Sequence, residues 1–136
     1  MKLLLFYTHE FWLRPFARNL PDIPDCDEET AVDGAVLALV HSEPADGERR
    51  GKVVTRAIKN IKWVAGKFDS KRVVLHFFAH LARESATPEL ARELVDAMAQ
   101  RLRGAGYEVR VTPFGWFNEF RLHVAGESMG KVFVEI

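Results

Sequence analysis

The chain has 136 residues, 48% of them hydrophobic, the length of one domain able to bury a core without disulfides or metals. Its 19 basic and 19 acidic residues cancel, so net charge by itself gives no reason to expect a nucleic acid partner. Cys26 is the only cysteine, which excludes an internal disulfide and suits a reducing compartment.

Taken in chain order, Lys2 to Thr8 is an apolar run of strand length. Its LLLF core is too short for a membrane span or a secretory signal, so no membrane partner and a cytoplasmic location are expected. Arg14 to Thr30 carries three prolines and the acidic stretch DIPDCDEE, and reads as a long loop. Gly34 to His41 (GAVLALVH) is a second buried strand. From Gly51 to Phe68, Val54, Ala57, Ile58, Ile61, Val64, Ala65 and Phe68 follow one helical face, while Lys52, Arg56, Lys59 and Lys62 fall elsewhere on it. That helix lies in a stretch, Arg49 to Arg72, where nine basic residues meet a single acid, Asp69. Arg72 to Phe78 is a strand by its β-branched and aromatic content. Thr87 then caps a helix led by Pro88, whose stripe of Leu90, Leu94, Met98 and Leu102 runs to Gly104 and Gly106. Tyr107 to Val111 is the next strand; Phe120 to Val124 and Lys131 to Ile136 alternate and are expected to pair antiparallel about the Gly126 turn. The pattern predicts one domain over residues 1–136, α+β, with a mainly antiparallel sheet and two helices packed on it.

The chemistry-bearing residues exclude much. The five histidines, at positions 9, 41, 76, 80 and 123, show no paired helical metal spacing, and the glycines fit no nucleotide fingerprint, so neither metal nor cofactor is expected. Ser42, Ser85 and Ser128 lack a nucleophile elbow. His76 lies inside an apolar run and reads as a core histidine; His80 follows the strand's carboxyl end, where sheet-based domains keep ligand sites. TPFGWFNEF (112–120) reads either as a buried turn feeding a core strand or as the wall of a pocket, with rings for a base or ribose and a polar tip, Asn118.

RVVLHFFAHLARESATPE and VTPFGWFNEFRLHVAGES, separated by one helix, resemble the archaeal threonyl-tRNA synthetase editing domain, whose fold is shared with D-aminoacyl-tRNA deacylases. The order of elements agrees over nearly the whole chain. The resemblance implies hydrolysis of the ester joining a mischarged serine to the terminal adenosine of threonine tRNA. One methyl supplies only about 1–3 kcal/mol of discrimination, so a second sieve that admits the smaller residue is physically needed. It also implies that the adenosine is held by main chain and that its ribose hydroxyl helps position the water.

Carried over by position, the resemblance makes His80, with Ala79 beside it, a residue of the aminoacyl pocket. It makes Pro113, Phe114, Gly115 and Trp116 the turn that bounds that pocket. The family continues with a tyrosine and a substrate-reaching lysine, where this chain has Phe117 and Asn118; a later acid of the family pocket falls at or near Lys131. Two readings follow. In one, Lys131 enters the pocket from the last strand and Asn118 orients the substrate amine or a water; in the other, the site has degenerated and the domain binds tRNA or a protein subunit, or acts on a different aminoacyl ester. In either case Lys52, Arg56 and Lys59 are the expected contacts to the acceptor stem, and a homodimer is expected because related folds pair their sheets. The missing lysine favours a free-standing protein acting in trans beside a separate synthetase catalytic subunit.

Overall fold

The computed structural model describes all residues 1–136 as six strands and two α-helices: β1 (Lys2–Arg18), β2 (Thr30–His41), α1 (Arg50–Lys67), β3 (Arg72–Phe77), α2 (Pro88–Gly104), β4 (Glu108–Val111), β5 (Trp116–Val124) and β6 (Lys131–Glu135). All strands join one sheet, in the order β4-β3-β2-β1-β5, with β6 also on β1. The pairings of β1 with β2, β5 and β6 are antiparallel; β2 with β3 and β3 with β4 are parallel, α1 and α2 forming the crossovers. The α+β architecture is therefore a mixed sheet in which antiparallel pairing dominates.

Both helices form where the apolar period places them, and α2 also where its cap does. Thr87 Oγ1 accepts from the Leu90 amide at 3.2 Å, and Pro88 occupies the first turn, where its missing N–H costs nothing. Val53, Val54, Ala57, Ile58, Ile61, Val64 and Ala65 of α1 are buried, as are Leu94, Val95, Met98, Ala99 and Leu102 of α2. They pack on one sheet face, against Leu3, Leu5, Val36, Ala38, Val40, Val73 and Leu75.

The opposite face has no helix. Ala35, Leu37, Leu39 and Val74 are nevertheless buried there, because Phe11, Leu13 and Val32, from the far half of the β1–β2 ribbon, pack against them. The ribbon changes course at Thr8 to Glu10, where the β1–β5 register shifts and Gly34 on β2 adopts φ +63°. Covering on both faces explains why GAVLALVH is continuously apolar rather than alternating.

Two expectations are corrected. Residues 14–18, expected in the loop, belong to β1, which runs to Arg18. Pro15 is tolerated beside a second register shift, between Pro15 and Ala17, and the intervening Phe16 stands out at 76% exposure. Secondly, β5 and β6 do not pair with each other. Both add to the same edge of β1, β6 against Lys2 to Phe6 and β5 from Thr8 onward, with the Ala125 amide bonded to the Tyr7 carbonyl at 2.9 Å between them. Alternation marks a strand but does not name its partner.

Candidate functional site

Parallel β2 and β3 end side by side at His41 and Phe77, and beyond them the chain leaves the sheet as a loop to Thr87. The turn after β4 folds across these ends. Thr112 donates its amide to the Leu75 carbonyl at 3.0 Å, and Gly115, at φ +81°, reverses the chain into β5. The Gly115 carbonyl accepts from the amides of Asn19 and Leu20 at 2.8 and 3.1 Å, tying the loop after β1 to the same turn. The result is a cavity of about 410 Å³ at the carboxyl ends of the parallel strands, large enough for a small ligand.

The aromatic turn is a wall of this cavity. The Phe114 ring meets Phe77 edge to face at 5.2 Å, and the Arg92 guanidinium lies 5.0 Å from its centre. Arg18 lies 5.2 Å from the Trp116 ring. Ala79, His80, Pro113, Phe114, Gly115, Trp116, Phe117 and Asn118 all line the cavity, so two segments separated by α2 and β4 in sequence meet there. His80 is exposed at the rim, its ring 5.0 Å from that of Phe78.

Lys131 is not among the lining residues. Its Nζ donates to the carbonyls of Ala125, Gly126 and Glu127 at 2.7, 3.3 and 3.4 Å, closing the turn between β5 and β6. Three local acceptors hold the ammonium at the base of its own strand, so the expectation that it reaches the pocket is corrected. Lys52, Arg56 and Lys59 lie apart from the cavity, exposed on the outer side of α1, and none is in an ion pair with an acid.

Among the wall residues that sequence reasoning passed over are His76 and Ser42. His76, read as a core residue, is 5% exposed yet lines the cavity, its Nδ1 2.8 Å from Thr112 Oγ1 and its ring 5.5 Å from Phe120. Burial pushes its pKa down to about 4, so the ring is neutral at physiological pH. Ser42, one residue past β2, lines the cavity with its Oγ buried and unpartnered. Asn118 presents a second such atom: its Nδ2 donates to the Trp116 carbonyl at 3.1 Å, which leaves Oδ1 as a buried acceptor without a donor. No Asp, Glu, Lys or Arg lines the cavity. Its polarity is that of two imidazoles, hydroxyls, amides and main chain, a set suited to hydrogen-bonding a ligand. No three His, Cys, Asp or Glu side chains are grouped as metal ligands would be, and no helix is long and apolar enough to cross a membrane.

The fold is that of the D-aminoacyl-tRNA deacylase-like proteins. The solved structure of a c-Myc DNA unwinding element binding protein superposes with a TM-score of 0.68, covering 100% of this chain and 99% of that one at 11% identity. The model of the archaea-specific editing domain of threonyl-tRNA synthetase matches residues 1–136, and the chain belongs to that family. Threonine–tRNA ligases of Thermococcus kodakarensis and Methanopyrus kandleri are 30% and 33% identical to it, each over 97% of this chain. The chain spans only 22% and 21% of those relatives' own lengths, about a fifth.

Proposed function

We propose that this domain hydrolyses the ester of a mischarged aminoacyl-tRNA, seryl-tRNA for threonine being the first candidate. The observation that carries the reading is the buried, unpartnered Oδ1 of Asn118, a residue that lines a cavity of about 410 Å³ in a domain of this family. A fixed acceptor complements a donor, and the free ammonium of an aminoacyl ester is a strong one. Where the family carries a lysine, this chain therefore offers the opposite polarity. Water adds to the ester carbonyl carbon, the bond to the ribose oxygen breaks, and that oxygen takes a proton, releasing the amino acid from the tRNA. With no charged side chain in the wall, orientation and fixed dipoles carry catalysis rather than a strong base. His80 at the rim is placed to orient the ester or the water, and the rings of Phe114, Trp116 and Phe117 to bound the terminal adenosine.

Single-turnover hydrolysis of seryl- and threonyl-tRNA for threonine, with D-aminoacyl-tRNA as a third substrate, tests this. Serine release is expected, with threonine spared. Losing a hydrogen bond to a charged group costs about 1.5–3 kcal/mol, so Asn118→Ala is expected to slow release by about ten- to a hundredfold; Lys131→Ala should leave it unchanged. No release from any ester, with tRNA still bound, would instead favour a catalytically degenerate tRNA-binding or protein-interaction module. The wholly uncharged lining is the feature that keeps that second reading in play.

The reading extends beyond the cavity. Lys52, Arg56 and Lys59, free of acidic partners, would meet the phosphates of the acceptor stem, whether a synthetase catalytic unit acts in cis or in trans. Replacing all three by Glu should weaken tRNA binding and flatten its salt dependence without altering hydrolysis of aminoacyl-adenosine; unchanged tRNA affinity removes this surface from the proposal. Phe133, at 53% exposure and outside the cavity lining, supports burial against a second copy of the chain. A homodimer by sedimentation is the expected state, and a monomer at every concentration overturns it. Such an enzyme acts on tRNA in the cytoplasm.

A further inference from the structure

His41, the last residue of β2, is fully buried and lies outside the cavity lining. Its Nδ1 accepts from the Leu81 amide at 3.1 Å, and its Nε2 lies 2.8 Å from the Glu84 carbonyl. Because the Leu81 N–H is a donor, Nδ1 carries no proton. Nε2 therefore carries it and donates to Glu84. Both ring nitrogens of a neutral histidine thus bind one loop, at two points three residues apart.

That loop has no other support of this kind. From Ala79 to Ala86 there is no helix or strand, and every hydrogen bond to the rest of the protein goes to His41 or to the Ser42 carbonyl, which accepts from the Ala86 amide at 2.8 Å. The same segment supplies four cavity residues, Ala79, His80, Ser85 and Ala86. A structureless stretch on a functional wall is expected to sample several conformations unless something selects one.

We infer that His41 is a positioning residue, which fixes the main chain that follows His80, at Leu81 and Glu84, and so sets the geometry of the aminoacyl wall. It touches no substrate and acts through the peptide at Leu81. The inference rests on the proposed hydrolysis for its kinetic consequence, but its structural half stands without it. Removing the imidazole frees the loop at two points, and a displacement on the order of 1 Å at a reacting centre costs about a hundredfold in rate.

The test measures hydrolysis of seryl-tRNA for threonine together with amide hydrogen exchange. In His41→Ala, kcat is expected to fall about a hundredfold with KM little changed, and the amides of both Leu81 and Ala86 to exchange faster while those of α1 do not. The Ala86 amide is the informative one, since it bonds Ser42 and not the deleted ring. His41→Asn, whose side-chain oxygen stands near the Nδ1 position, should recover most of kcat; His41→Gln, reaching only toward Glu84, should recover less. If His41→Ala does not fold, the order of those two variants decides, and equal, wild-type rates in both overturn the inference. Unchanged kcat in His41→Ala, or an Ala86 amide as protected as in the wild type, does so too. If the wild type hydrolyses no ester, the proposed function fails, and Ala86 exchange alone still decides the role of His41.

Discussion

Gly115→Ala is expected to lower the stability of the domain by about 1–3 kcal/mol and to reduce hydrolysis more than any other single change in the aromatic turn. Gly115 sits at φ +81°, where a Cβ on an L residue crowds the following carbonyl at a cost of about 1–2 kcal/mol. The added carbon would also lie 2.8 Å from Ile23 Cδ1 and 3.1 Å from Ile23 Cγ2. Cδ1 could swing aside, but Cγ2 is on the branch next to the backbone, so the loop itself must move. That loop is the one whose Asn19 and Leu20 amides bond the Gly115 carbonyl, and both residues line the cavity. Relieving the clash therefore opens the wall where Trp116 and Asn118 leave it. Urea denaturation read beside single-turnover rates checks both halves. A variant with the wild-type midpoint and wild-type rate would mean that the turn is not held by these contacts.

The same contact gives the proline-rich segment a role that composition did not reveal. Beyond Arg18, the loop returns over the turn, with Ile23 against Gly115, the Arg18 guanidinium on the Ile23 carbonyl at 3.3 Å, and Arg18 paired with Asp25. Its apolar beginning belongs to the cavity. Most of its acids, from Asp25 to Glu29, remain outside in solvent, apart from the half-buried Cys26.

What the sequence disclosed follows from how far each signal reaches. The helices were legible because a 3.6-residue stripe and a Thr-Pro cap are local features that the core then uses unchanged. Strand existence was legible, but neither the full length of β1 nor the partners of β5 and β6. Pro15 signals a loop unless a register shift absorbs it, and the choice of neighbour is a long-range property. The cavity was half legible. PFGW is too costly a turn to be filler, and a histidine past a strand's end is exposed by its position. Ser42 and His76 sit in or beside apolar runs, and only the ends of two parallel strands bring them into the cavity wall. Lys131 shows the limit from the other side. An exposed position on a strand left its ammonium free in principle, and three carbonyls one turn away claimed it.

Stability should fall by about 3 kcal/mol between pH 6.5 and pH 4 because of His76 alone. Its pKa is about 4 in the folded protein against 6.5 for a histidine free in water, and burial is the cause. In that window the unfolded chain takes up a proton that the folded ring refuses. Unfolding is therefore favoured as pH drops, at about 1.4 kcal/mol per pH unit, and the contribution is fully present only above 6.5. Glu43 acts lower down. Burial raises its carboxyl, but hydrogen bonds from the Met1 amino group and Lys2 outweigh this and leave it below 4.5, so its contribution is lost only as pH falls beneath that value. The two are therefore separable. His76→Gln keeps a polar group near Thr112, gives up some packing against Phe120 and begins less stable at pH 7, yet its urea midpoint should be much flatter from pH 6.5 to 4. Parallel curves for the two proteins would show that His76 titrates normally in the fold. The Thr112 contact and the Phe120 ring would then fail to seal it from water, and the cavity floor would carry a charge in mild acid.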